Sequence, residues 1–210
     1  TDAGHELKTP LTVISANSEL ARMTYGDSEW FDGIDRQVQR MNKLVRELIT
    51  LAKMDEQQKL DFEPFNLSDA LYDVMLPFGQ VLTRQEKNLT YDITDDITLK
   101  GNESSIRELI SILIDNAAKY CTEQGTVHIT LHTVSNKIRL DITNDFPDAE
   151  NCDFSAIFDR FYRADKSRKS DGSYGLGLSI AKNIAEIHHG TITARAVGAM
   201  KVIFEVVFKN

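Results

Sequence analysis

The chain has 210 residues, 41% of them hydrophobic and 27% charged, with a formal net charge of −8. This suits a globular chain of one ordinary domain or a small pair, and the acidic balance excludes a general nucleic-acid binder, which needs a basic surface for phosphates. Cys121 and Cys152 lie far apart with no CxxC pair, which argues against a zinc site or a disulfide framework and for free thiols in a reducing compartment.

In chain order, Leu7, Leu11, Ile14 and Ala21 recur at helical spacing, with Ser18 at the remaining step. Pro10 falls inside this pattern, five residues after His5. An interior proline removes one helical hydrogen bond at a cost of ~3 kcal/mol, and the carbonyl left over is that of Glu6. A bent helix with an imidazole beside a carboxylate is a candidate reactive site. Residues 25–28 read as a turn, with Ser28 as N-cap of a second helix. In that helix Ile34, Val38, Met41, Val45, Leu48 and Ala52 alternate by four and three residues, a heptad seam. Two such helices make a hairpin that buries only one stripe. Pairing of two copies into a four-helix bundle, a homodimer, is expected.

Residues 55–64, DEQQKLDFEP, interrupt the seam with polar side chains and read as a linker. Beyond it the pattern predicts a helix over 67–81, strands at 89–93 and 97–99, and a helix over 105–120. Strands follow at 126–133 and 137–143, then a charged loop over 164–174, a helix over 176–188, and strands at 191–197 and 201–208. The lack of regular βαβ alternation favours an α+β fold, with a mixed sheet, over a doubly wound one. The expected division is a helical hairpin at 1–57, a linker at 58–64 and an α/β sandwich at 65–210. No apolar run is long enough to span a bilayer and no signal peptide is present. Because the sequence opens inside a helix, it reads as an excised piece, with membrane attachment only through a missing N-terminal region.

Three stretches carry candidate chemistry. GHELKTPLT contains His5, Glu6 and Thr9. LIDNAAKY ends a helix with Asn116, whose amide oxygen suits Mg²⁺, with Lys119, which can meet a phosphate on roughly the same face, and with Tyr120, which can stack on a base. Read alone, these are surface groups at a frayed helix end. In GSYGLGLSIAKNIAEIHHG, Gly175, Leu176, Gly177 and Leu178 open a helix where backbone amides can approach an anion. Alone, that segment reads as readily as a flexible turn. Other features weigh less: His128 and His132 share one strand face without a third ligand, His188–His189 closes a helix before Gly190, and Trp30 is expected to pack.

Together these stretches, with IFDRFYRAD at 157–165, resemble the H-, N-, F- and G2-boxes of the two-component sensor histidine kinases, in the family's order along nearly the whole chain. The resemblance implies a dimerisation and phosphotransfer hairpin followed by an ATP-binding domain of the gyrase, Hsp90 and histidine-kinase type. It further implies that His5 takes the γ-phosphoryl group of ATP and passes it to an aspartate on a response-regulator receiver domain. Glu6 is then the general base or orienter and Thr9 a candidate for phosphatase action on that regulator. Asn116 is the Mg²⁺ ligand, Lys119 and Arg163 are phosphate contacts, Tyr120 flanks adenine, and Gly175 to Leu178 line the phosphates, with Lys166, Arg168 and Lys169 adding charge. Ala16, Glu19 and Arg22 are candidates for choosing the regulator. A cytoplasmic domain of a membrane-anchored sensor is the implied setting.

The chain departs from the family pattern in three places. Asn144-Asp145-Phe146-Pro147-Asp148 stands where the family has an aspartate and two glycines around the adenine. Asn144 can still accept a hydrogen bond from the adenine amine, more weakly than a carboxylate, unless Asp145 has taken the role. Ile112 likewise replaces a polar residue one turn before Asn116, and Gly198 alone remains of the last glycine-rich segment. Weakened ATP binding is expected, and the alternative is a pseudokinase serving as a dimeric docking or phosphotransfer scaffold. A chaperone- or topoisomerase-like ATPase would share the nucleotide fold but leave the H-box unexplained.

Overall fold

The computed structural model describes residues 2–55, 60–147, 149–163 and 174–209, with side chains of residues 6–52 in the first stretch. Most of the expected loop at 164–174, including Lys166, Arg168 and Lys169, lies outside the described residues, as do Asp148 and linker residues 58 and 59. Packing separates the chain into two compact units, one built on the two N-terminal helices and the other holding the sheets.

The helical unit is a hairpin of α1 (Asp2–Tyr25) and α2 (Glu29–Asp55). Helix α1 continues through Pro10 as one helix. It stops at Gly26, whose φ of +84° is the left-handed conformation that costs glycine no Cβ clash, and whose N–H donates to the Arg22 carbonyl at 2.9 Å. The Ser28 carbonyl accepts the first bonds of α2, from Phe31 and Asp32, as an N-cap carbonyl does. Inside the hairpin Leu11 packs with Val38 and Val45, flanked by Ile49. The other row of the seam, Ile34, Met41 and Leu48, is exposed, as are Leu7 and Ile14 of α1. Trp30, expected to pack, is 76% exposed.

A polar layer closes the hairpin near its turn. Buried Ser18 donates to Asp35 at 2.9 Å, and Arg22 reaches Asp27, Asp32 and Asp35 at 2.9, 3.0 and 2.6 Å. The hydrogen bonds that Arg22 donates to Asp27, then to Asp32 and Asp35, raise the guanidinium pKa above its already high value. Arg22, a candidate for regulator choice, therefore also ties α1 to α2.

The second unit contains β1 (Glu63–Asn66), α3 (Leu67–Arg84), β2 (Asn88–Ile93), β3 (Thr98–Gly101), α4 (Glu103–Tyr120), β4 (Thr126–Val134), β5 (Lys137–Asp145), a short 3₁₀ turn (Ala149–Asn151), β6 (Thr191–Ala196) and β7 (Lys201–Lys209). Helix α5 (Gly177–Ile187) precedes β6. Strands β1 and β3 form an antiparallel pair, and the larger sheet runs β2-β4-β5-β7-β6, parallel between β2 and β4 and antiparallel elsewhere. This is the mixed sheet of an α+β fold, as the pattern predicts. Glu63 and Pro64, expected in the linker, lie in β1, opposite Gly101 and Lys100.

Alternation decides which sheet face is dry. Ile138, Leu140, Ile142 and Asn144 of β5 are buried, while Arg139 and Asp141 between them lie on the wetter face, where Arg139 pairs with Asp141 and Glu205. The helices supply the rest of the core: Leu71 and Met75 of α3, Ile106, Leu109, Leu113 and Ile114 of α4, and Ile180 and Ile184 of α5 are all buried. Side-chain N-caps start α3 and α4: Asn66 accepts from the Asp69 N–H and Asn102 from the Ser105 N–H. Leu109 is wholly buried, so Leu109→Ala should cost ~2–5 kcal/mol in urea unfolding, with the m-value kept if the fold persists.

Candidate functional site

The apolar positions of α4 turn one face to the core and leave Asn116, Lys119 and Tyr120 half-buried at its C-terminal end. The Lys119 ammonium sits 4.7 Å from the centroid of the Tyr120 ring. Three bonds hold this helix end. Cys121 N–H donates to the Ala117 carbonyl at 2.9 Å, Lys87 Nζ donates to the Ala118 carbonyl at 2.7 Å, and Thr122 N–H donates to the Asp145 carbonyl at 3.1 Å. An ammonium at the negative end of a helix complements its dipole. Burial raises the pKa of the Cys121 thiol, which keeps it a neutral packing group.

Asn144 is 1% exposed. Its Nδ2 donates to the Asp145 carbonyl at 3.2 Å, and this bond orients the amide, because only the nitrogen end can face a carbonyl. Oδ1 is then the remaining acceptor; it is buried and has no hydrogen-bond partner among the described residues. A buried carbonyl without a donor costs ~1–3 kcal/mol, which a ligand N–H would recover. Asp145, the other candidate for this role, lies on the opposite face of β5. Its Oδ2 accepts the Thr126 N–H at 2.8 Å and its Oδ1 lies 3.9 Å from Lys201 Nζ. Beyond it, Phe146 N–H donates to the Met200 carbonyl and Ala149 N–H to the Ala199 carbonyl, which stitches the strand's exit to the β6–β7 turn.

The remaining predicted residues are placed as follows. His5 lies in α1, with its side chain outside the described residues; Glu6 and Thr9 follow it in the same helix and are exposed. Gly175 takes a φ of +73°, Leu176 is wholly buried, Gly177 opens α5 and Leu178 lies in its first turn. Arg163, Gly175, Leu176 and Gly177 group with the helical unit, Leu178 with the other. Within the sheet unit, the Thr122–Asp145 bond brings Asn144 to the end of α4. Sequence reasoning missed Lys87 and the Asp145 carbonyl, since the first partners a residue 31 positions away and the second acts through its backbone.

The sheet unit thus combines a mixed sheet with a buried amide acceptor beside a helix end that carries an amide and an ammonium. Residues 101–209 match the histidine kinase-, DNA gyrase B-, and HSP90-like ATPase family, and residues 1–57 match the His Kinase A (phospho-acceptor) domain. The chain belongs to this ATPase family and, with both domains in this order, is a sensor histidine kinase core. Sensor protein DltS of Streptococcus agalactiae is 34% identical over 194 residues, 92% of this chain and 49% of the relative. Sensor histidine kinase TrcS of Mycobacterium tuberculosis is 32% identical over 219 residues, 98% of this chain and 42% of the relative. The chain thus spans about half the length of these relatives. Among solved structures, Acinetobacter baumannii histidine kinase AdeS shares the fold with a TM-score of 0.71 at 24% identity, covering 98% of this chain and 97% of that one. Full-length ShkA in complex with AMPPNP gives a TM-score of 0.82 at 18% identity, over 99% of this chain and 44% of that one.

The amide lock generates a prediction. Asn144→Asp sets a carboxylate oxygen against the Asp145 carbonyl, so the new carboxyl's pKa should rise above its unfolded value of ~3.9. A raised folded-state pKa means that the protonated form is the one the fold favours. The variant's deficit relative to the parent should therefore be small below pH ~4 and grow as pH rises through the folded value. Urea unfolding of both proteins across that range checks it; a deficit that shrinks toward neutrality would contradict the lock.

Proposed function

We propose that the chain catalyses ATP-dependent phosphorylation of His5 and hands the phosphoryl group to an aspartate of a response-regulator receiver domain. The observation that carries this reading is the buried, unpartnered Oδ1 of Asn144 beside the Asn116–Tyr120 end of α4, in a chain that also holds a phospho-acceptor domain. An adenine exocyclic amine is the donor that such an acceptor fits. The scaffold alternative rested on the altered stretch at 144–148, and the buried acceptor there favours the enzyme.

The roles follow from what phosphoryl transfer requires, which is position and charge neutralisation. Asn144 holds the base and Tyr120 flanks it. Lys119 and Arg163 neutralise phosphate oxygens, and the backbone from Gly175 to Leu178 approaches them at the start of α5. Asn116 is the Mg²⁺ ligand. Mg²⁺ keeps few protein ligands and is carried mainly by phosphates and water, so a single amide oxygen suits it. Held there, Mg²⁺ would supply positive charge to the phosphate oxygens. One nitrogen of the neutral His5 imidazole attacks the γ-phosphorus as its bond to the bridging oxygen breaks, ADP departs, and the proton of the other ring nitrogen passes to Glu6. Thr9, one turn on, positions water for the reverse task of dephosphorylating the regulator.

The division of labour is a phosphoacceptor hairpin over 1–57 and an ATP-binding domain over 65–210, joined by a linker at 58–64 whose end enters β1. The exposed rows Leu7 and Ile14 of α1 and Ile34, Met41 and Leu48 of α2 support homodimerisation into a four-helix bundle. Exposed Ala16 and Glu19 near the same hairpin are the regulator-choosing positions. No helix among the described residues is long and apolar enough to cross a membrane. The setting proposed is the cytoplasmic domain of a membrane-anchored sensor, in keeping with the longer relatives.

Incubation with Mg²⁺ and γ-labelled ATP tests the reaction. The label should survive base, be lost in acid and be absent from His5→Ala, and Asn116→Ala should slow labelling ~10²-fold or more. Equal labelling of His5→Ala would overturn the site assignment.

A further inference from the structure

His188 is 6% exposed and takes no part in the site described above. Its Nδ1 lies 2.8 Å from the Ile184 carbonyl and its Nε2 lies 3.0 Å from the Asn102 backbone nitrogen. A carbonyl can only accept and a backbone N–H can only donate. The ring is therefore neutral, with its proton on Nδ1 and its lone pair on Nε2. It stacks on Phe62, with centroids 4.7 Å apart and planes at 8°, and meets Phe208 edge-on at 6.5 Å. The position facing it is a glycine: a Cβ on Gly101 would lie 2.6 Å from the ring.

The partners of this ring belong to three separate parts of the sheet unit. Phe62 is the last residue before β1, where the linker enters. Asn102 is the N-cap of α4, the helix that ends in Asn116, Lys119 and Tyr120, and its Nδ2 also donates to the Asp61 carbonyl at 3.4 Å. Ile184 lies in the last turns of α5. One imidazole thus fastens the linker exit, the start of α4 and the end of α5 to one another.

We propose that His188 is a proton-operated clasp on the linker exit, closed when the ring is neutral and opened when it is protonated. A proton on Nε2 sets one N–H against the Asn102 N–H, abolishes that bond and places a charge in an apolar slot. The groups against the ring are Phe62 from the linker exit, Gly101 and the Asn102 N–H from the β3–α4 junction, the Ile184 carbonyl from α5 and Phe208 from β7, none of them charged. The titratable group that acts on it is His189, whose charge would oppose protonation further. Burial, first, and His189 lower the ring's pKa, while the Ile184 bond works the other way. Because the folded value is lowered, the clasp's contribution is complete above the unfolded pKa of ~6.5 and is lost as pH falls from there through the folded value.

Nuclear magnetic resonance on the 210-residue chain tests this without nucleotide, so its outcome is separate from that of the kinase reading. Nitrogen-15 spectra should show the Nδ1–H tautomer at neutral pH, and amide protection at Asn102 and over residues 60–62 should fall ~10-fold as pH is lowered below ~6.5, in step with the His188 titration. His188→Gln, which keeps a donor and an acceptor but does not titrate, should remove that pH dependence. Phe62→Leu, which keeps the ring but uncovers it, should move the midpoint upward. Protection that ignores the His188 titration, or the same pH dependence in His188→Gln, would overturn the clasp. Should His188→Gln fail to fold, an unmoved midpoint in Phe62→Leu would overturn it as well.

Discussion

The carbonyl of Asp145 accepts two hydrogen bonds, one from the Thr122 N–H just beyond α4 and one from the Asn144 side chain. The first ties the end of β5 to the end of α4; the second turns the Asn144 amide so that its buried oxygen is the end left without a partner. The proposed nucleotide site depends on both. The helix carries Asn116 and Lys119, assigned above to metal and phosphate, the strand carries the oxygen assigned to the base, and one peptide group joins the two element ends. The Asp145 side chain serves the same end by capping the Thr126 N–H at the start of β4.

The departure from the family pattern at 144–148 takes on a different meaning in this setting. An aspartate at 144 would meet the Asp145 carbonyl with a second oxygen and no proton between them. An asparagine resolves that conflict by supplying the proton itself, and it keeps the acceptor a purine amine requires. The loss of charge would weaken the proposed hydrogen bond to the base, but the fixed orientation of the amide would avoid the cost of ordering it on binding. The neighbouring residues Phe146 and Pro147 need no glycine freedom, since the strand's exit is held by backbone bonds to the β6–β7 turn.

Much of this was legible in the sequence, because helix periodicity is a local signal. The apolar spacing of α4 marks its buried face, and that leaves Asn116 and Lys119 beside the core. The strands β4 and β5 alternate cleanly because one sheet face is dry. What escaped the sequence is non-local. Strand β1 is four residues long and exists through its pairing with β3, so Glu63 and Pro64 read as linker. The heptad seam of α2 gives one period to two rows, and only packing distinguishes Val38 and Val45, covered by α1, from the exposed Ile34, Met41 and Leu48. Trp30 has no signal that separates a packed indole from an exposed one. His188 reads as a polar helix end, whereas its partners Phe62 and Asn102 come from distant parts of the chain.

The central claim is that Asn144 presents a fixed acceptor to the 6-position of a purine. Calorimetric titration of the chain with ATP and with inosine triphosphate, which carries a carbonyl in place of the 6-amine, tests it most directly. ATP should bind ~10-fold or more tightly than inosine triphosphate, and Asn144→Leu should remove the preference. Equal affinity for the two nucleotides in the parent chain would contradict it.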